Sequence, residues 1–112
     1  MTKLLFTPQA KDDLMEIRTY ITHESGDSVV AQKQAEMIFQ KLRLLQEQPR
    51  MGTPLTAIIG LISDYRYIVC GSYYAFYKYN DESVFIIRIL HCSRDYMRVL
   101  FGITNSQTDI EE

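Results

Sequence analysis

The chain has 112 residues, a mass of 13.1 kDa and a formal charge of -2, which suits one domain around one core. Its 46% hydrophobic content excludes a disordered chain, and no apolar run approaches the ~20 residues of a membrane helix. Setting aside the tail residues Asp109, Glu111 and Glu112 leaves 12 basic against 11 acidic groups. A body so near neutral excludes binding to nucleic acid by field strength alone, since domains that do so are clearly basic.

Lys3 to Phe6 is a short apolar run that reads as a strand and stops at Thr7-Pro8. The opening is too short for a signal peptide, so the cytoplasm is the expected compartment. Thr7 suits an N-cap and Pro8 the first helical position, where its missing N–H costs nothing. Ala10, Leu14, Ile17 and Ile21 then recur at helical spacing and predict an amphipathic helix to about Glu24. Ser25-Gly26-Asp27 stops it, with His23 in the loop between helices and Asp27 or Ser28 capping the next one. The second helix carries a stripe of Ala31, Ala35, Ile38, Leu42 and Leu45, widened by Val30, Met37 and Leu44. It ends at Gln48, because Pro49 disfavours helix in the residue before it. So short a connection makes the two helices antiparallel neighbours. Their stripes read as cover for a sheet rather than as a free-standing partner-binding module.

Arg50 to Leu61, with Gly52, Pro54 and Gly60, reads as an irregular loop. Three short antiparallel strands follow as a meander, from Tyr65 to Cys70, Tyr73 to Tyr79 and Ser83 to His91. Val84-Phe85-Ile86-Ile87 is apolar on both faces, which predicts an interior strand. The helices cover one face, and the other calls for cover from elsewhere, a hint of a partner. Ser93 is placed to cap a short helix from Arg94 to Phe101, with Gly102 at its C′ position. The fold class is therefore α+β: an N-terminal strand, an antiparallel helical hairpin, a three-stranded antiparallel meander and a short C-terminal helix. Residues 1–102 form the domain, and 103–112 a polar acidic tail expected to be disordered.

Cys70 and Cys92 form no Cys-x-x-Cys and have no His pair nearby, so neither a zinc site nor any cofactor is implied. They fall at one end of the sheet two strands apart. That is ~10 Å, beyond the ~7 Å reach of a disulfide, and reduced thiols are expected.

A metal-independent ribonuclease needs a base for the ribose 2′-hydroxyl, an acid for the leaving oxygen and cations for the phosphate. The residue types that could serve are Arg66, His91, Arg94 and Tyr96. His91 and Arg94 meet at a strand-to-helix junction, where Arg94 and the helix N-terminus could hold an anion. Each also has a plain reading: Arg94 with Asp95 as a surface charge pair, His91 bonded to its own loop, His23 solvated. The eight tyrosines invite base stacking, yet tyrosine is a favoured strand residue and packing accounts for most of them.

Three local patterns carry a resemblance. They are Phe6-Thr7-Pro8-Gln9-Ala10-Lys11-Asp12-Asp13-Leu14, then Pro49-Arg50-Met51-Gly52-Thr53-Pro54, and then a bipartite third. The third joins Tyr73-x-x-Phe76-Tyr77-x-Tyr79 to Val84-x-Ile86-x-Arg88-Ile89-Leu90-His91-x-x-Arg94-Asp95-Tyr96. In this order and spacing, over about residues 3 to 101, the chain resembles the RelE/ParE family of toxins from type II toxin–antitoxin systems. The resemblance implies a cognate antitoxin wrapped round the outside as a hetero-oligomer. Members resembling RelE cleave mRNA on the ribosome and carry an arginine in the third strand, near where Tyr74 stands here. Members resembling ParE poison DNA gyrase and show an ending like His91-x-x-Arg94-Asp95. The expected function is gyrase poisoning, with Arg66, His91, Arg94 and Tyr96 as target contacts. Ribosome-dependent mRNA cleavage, in which those four would be catalytic, is the alternative, and a non-toxic binding domain a second one.

Overall fold

The structure is a computed structural model and describes residues 2–55 and 64–101. The acidic tail 103–112 and positions 56–61 of the expected loop lie outside the described residues. In chain order the elements are β1 (Lys3–Phe6), α1 (Pro8–Ser25), α2 (Ser28–Glu47), a 3-10 turn (Pro49–Met51), β2 (Thr53–Pro54), β3 (Arg66–Cys70), β4 (Tyr73–Tyr79), β5 (Ser83–His91) and α3 (Tyr96–Phe101). The strands form one five-stranded sheet in the order β1-β5-β4-β3-β2. β1 runs parallel to β5 and every other pair is antiparallel.

The ends of the helices follow from local chemistry. Thr7 caps α1 by accepting the Ala10 N–H at 3.0 Å, and Gly26 closes it in the left-handed region at φ 67, a conformation that disfavours a side chain. Helix α1 runs past Glu24, so His23 lies in its last turn rather than in the inter-helix loop. Asp27 caps α2 by accepting the Val29 N–H at 2.8 Å. Between β3 and β4 the turn pivots on Gly71 at φ 63, as a two-residue hairpin loop with positive φ at its first position demands.

The hairpin covers one face of the sheet. Ala10 and Ile17 from α1 and Ile38, Leu42 and Leu45 from α2 pack with Ile68, Ala75, Tyr77, Val84, Ile86 and Ile89. Leu42 and Leu45 are fully buried, and truncating side chains of this kind costs about 2–5 kcal/mol. Val30, Met37 and Leu44, expected to widen the stripe of α2, are instead 39%, 64% and 49% exposed. They lie about a third of a turn away from the Ala31–Leu45 row, and the sheet reaches only the row itself.

The loop after α2 is more regular than expected. Thr53 and Pro54 form β2 and pair with Tyr67 and Arg66 at the edge of the sheet. Proline is tolerated there because an edge strand has no neighbour on its outer side. Part of the second face of the sheet is covered by the chain itself, while Phe85 and Ile87 of the doubly apolar segment remain half-buried. Leu55, Phe76 and Leu90 are buried there beneath Tyr65, Tyr67, Tyr74, Tyr96, Val99 and Leu100.

Candidate functional site

Strand β5 outruns its parallel neighbour. The pairing with β1 ends at Phe6 opposite Ile86, and a bulge leaves Ile87 as an extra residue between the partners of Tyr77 and Phe76. Thr7 takes over the next positions: its N–H donates to the Ile86 carbonyl at 3.0 Å and its hydroxyl to the Ile87 carbonyl at 2.8 Å. Asp13 takes the position after that. Its carboxylate accepts the Ile89 N–H at 2.9 Å and a forked pair from Arg88, Nε at 2.7 Å and Nη2 at 2.9 Å. Asp13 is 7% exposed, so a side chain of α1 stands in for a missing strand. The hydrogen bond to Asp13 holds the Arg88 guanidinium even more firmly protonated than usual, against the opposing effect of burial.

Beside this clamp, α1 and the end of β5 border an open groove of about 350 Å³ lined by Glu16, Tyr20, Tyr73, His91 and Arg94 among others. The Ser93 N–H donates to His91 Nδ1 at 3.1 Å, and the Ser93 hydroxyl lies 2.8 Å from the same atom. A main-chain donor makes Nδ1 the acceptor, which places the proton of the neutral ring on Nε2. The ring stands edge-on to Tyr73 at 5.4 Å. Burial, then the neighbouring Tyr20, lifts the Tyr73 phenol above its ordinary range, so at neutral pH it keeps its proton and is not a base. The Arg94 N–H donates to the His91 carbonyl at 2.9 Å, while its guanidinium has no hydrogen bond or ion pair among the described residues.

The other two candidates lie elsewhere. Arg66 Nη1 donates to the carbonyls of Gly52 at 2.7 Å and Arg50 at 3.3 Å, and the guanidinium sits 5.7 Å from the Tyr79 ring. Arg66 pairs with Tyr77, whereas His91 pairs with Tyr73. Four residues along the strand and two strands across give a separation on the order of 16 Å between Arg66 and His91. Tyr96 belongs to the cluster on the other face of the sheet, 5.4 Å from the Phe76 ring and 6.2 Å from Tyr74. Burial is the main cause that raises its phenol, with Tyr67, Tyr74 and Asp95 adding to it. The half-buried tyrosines of that face are packing partners of Phe76 rather than free stacking platforms.

The short helix also begins later than expected. It starts at Tyr96, not Arg94, and Asp95 rather than Ser93 is bonded to its first turn, with Oδ1 accepting the Arg98 N–H at 3.3 Å. Ser93 is engaged with His91 instead. A carboxylate at this position disfavours an anion at the helix N-terminus itself. Among the described residues no group of three or more His, Cys, Asp or Glu is placed to hold a metal ion. Cys70 is buried and Cys92 exposed, both as free thiols. No helix among the described residues is long and apolar enough to cross a membrane.

Asp13 and Arg88 are the site residues that the functional reading of the sequence missed. The signal was present: Asp13 is three residues from Ala10 and four from Ile17, on the apolar face of α1, and Arg88 interrupts an apolar strand.

Residues 4–96 match the family model described as the ParE toxin of type II toxin-antitoxin system, parDE. No curated protein sequence matches. Among solved structures, the chromosomal ParDE toxin–antitoxin system from P. aeruginosa is 20% identical with a TM-score of 0.68, covering 81% of this chain and 96% of that one. The E. coli DinJ–YafQ complex is more distant, 13% identical with a TM-score of 0.46, covering 91% and 100% of the two chains. The family match runs from β1 to the first residue of α3, and the chain belongs to the ParE toxins of type II toxin–antitoxin systems.

Proposed function

We propose that this toxin stops bacterial growth by poisoning DNA gyrase through protein contact, without covalent chemistry of its own. The observation that carries the reading is the dispersal of Arg66, His91, Arg94 and Tyr96. Arg66 is tied to loop carbonyls and Tyr96 is packed on the far face of the sheet. Of the four, only His91 and Arg94 share a groove, and the Tyr73 phenol beside His91 is lifted by burial, so it is no base at neutral pH. A nuclease needs an acid, a base and a cation within reach of one phosphate. A protein inhibitor needs only a complementary surface, which also suits the near-neutral body.

A cognate antitoxin completes the reading. The groove between α1 and α2, about 420 Å³ and lined by Phe6, Leu14, Met15, Ala35 and Phe39 among others, suits the apolar side of an amphipathic antitoxin segment. Met15 is 68% and Phe39 38% exposed, apolar surface that such a partner would bury.

The test compares DNA supercoiling by gyrase with cleavage of translated mRNA on addition of purified toxin. The reading expects supercoiling to fail, with the SOS response induced in cells, and mRNA to stay intact. It expects His91→Ala to weaken inhibition by a few-fold at most, whereas loss of a general acid or base costs a nuclease ~10²- to 10⁴-fold. Prompt mRNA cutting at ribosomal sites, with supercoiling unaffected, reverses the conclusion in favour of a ribosome-dependent endoribonuclease.

A further inference from the structure

Val30, Met37 and Leu44 are exposed and seven residues apart on α2. Seven residues are just short of two full helical turns, so the three form one nearly straight row about 21 Å long. Phe39 and Ala35, which line the α1–α2 groove, lie roughly half a turn round the helix from that row. A segment seated in the groove therefore leaves the row uncovered, and the two surfaces suit different occupants.

Lys33, Gln34, Gln40 and Lys41, all exposed, fill the row between its apolar members. Both central charges are positive, and the carboxylates Asp27 and Glu47 stand at the two ends. This pattern rejects a second copy of the chain. Antiparallel pairing about Met37 sets Lys33 against Lys41 and Asp27 against Glu47, and parallel pairing sets each charge against itself. Like charges in register oppose association in both arrangements.

We propose that this flank of α2 docks an acidic amphipathic helix on the inhibited target. Its apolar side chains would recur every seventh residue to meet Val30, Met37 and Leu44, with Asp or Glu between them to meet Lys33 and Lys41. A helical partner of about four turns matches a row of this length and period, as in helix-in-groove and coiled-coil recognition. The inference rests on the reading of the chain as an inhibitor acting by protein contact.

The experiment uses the whole toxin and two variants, Met37→Glu and Lys33→Glu/Lys41→Glu, each measured for growth arrest, inhibition of gyrase supercoiling and affinity for the cognate antitoxin. Antitoxin affinity serves as the folding control, and all three positions are exposed. The proposal expects both variants to need about tenfold more toxin to arrest growth and block supercoiling, with antitoxin affinity changed less than about twofold. Variants that inhibit like the parent toxin overturn it. So does loss of antitoxin binding with inhibition retained, which assigns the row to the antitoxin, or a dimer of the parent toxin that Met37→Glu dissociates. A parent toxin that arrests growth and spares supercoiling refutes the gyrase reading, and growth arrest by the variants still decides the docking row.

Discussion

The Asp13–Arg88 clamp predicts a large and coupled stability effect at two positions 75 residues apart. In Asp13→Ala the Ile89 N–H loses its acceptor, a loss worth about 1–3 kcal/mol in a buried setting. Arg88 also loses its counter-charge, and breaking a buried pair costs about 3–5 kcal/mol. The Arg88 side chain is 25% exposed, so water takes up part of that second cost and the two do not sum. We expect a loss of about 2–4 kcal/mol for Asp13→Ala, a fall in Tm of roughly 10–25 °C for a domain of this size. Asp13→Asn keeps an acceptor oxygen and should lose about 1–2 kcal/mol. The pair Asp13→Leu/Arg88→Met should lose less than its two single changes together, by about 1.5–3 kcal/mol, because the double change leaves neither charge stranded. Urea unfolding of the purified chains at pH 7 measures all of these. A cycle that adds within about 0.5 kcal/mol would refute the coupling, as would an Asp13→Ala protein as stable as its parent.

The remaining predictions concern packing and pH. A Cβ on Gly52 would sit 2.5 Å from the Tyr77 hydroxyl and 2.7 Å from the Tyr67 carbonyl, so Gly52→Ala should lower the urea midpoint by the equivalent of about 1–3 kcal/mol. Tyr77→Phe removes the hydroxyl that donates to the Pro49 carbonyl and accepts the Gly52 N–H. It should cost about 1–3 kcal/mol by the same assay and detach the Pro49–Met51 turn from the sheet. Burial pushes the Cys70 thiol from 9.0 up to about 11, so the unfolded chain ionises first. The resulting stabilisation is complete below pH 9 and is lost as pH rises towards 11, at up to about 1.4 kcal/mol per unit. Cys70→Ala should lessen the slope between pH 9 and 10, where the phenols of Tyr73, Tyr77 and Tyr96 are only beginning to contribute. An unchanged slope refutes the assignment. A thiol-reactive dye should label exposed Cys92 in the folded protein and reach Cys70 only on unfolding.

The helical hairpin was legible because the 3.6-residue period is a local property, and Ala10, Ile17, Ala31, Ile38, Leu42 and Leu45 are all buried as their spacing implies. How wide the stripe of α2 should be was not legible. Val30, Met37 and Leu44 are apolar and flank the stripe about a third of a turn away, and only the position of the sheet decides whether they are covered. Strand β2 escaped notice for a different reason. Two residues ending in proline carry no alternation, and they become a strand only because Arg66 and Tyr67 offer an edge to pair with. The parallel placement of β1 beside β5 is likewise set by tertiary packing, since Lys3–Phe6 has nothing in its pattern that selects a neighbour.

The candidate site divides along the same line. His91 and Arg94 are three residues apart at the end of a strand, and a turn between them sufficed to predict that they meet. Arg66 and Tyr96 could be judged only from the register and from which face each side chain takes. One end of the sheet holds Arg66 and the far face holds Tyr96, so a constellation that looks compact in sequence is spread over three surfaces. The start of α3 shows how a local rule can be right in kind and wrong in place. Ser93 and Asp95 both suit an N-cap, and the choice falls to Asp95 because Ser93 is already bonded to His91. The contact that organises this end of the molecule was visible in the sequence as two errors of pattern, an acid on an apolar helix face and a base within an apolar strand. Either charge alone would be costly to bury. Together they predict each other across 75 residues, because each supplies the partner that makes burial of the other tolerable.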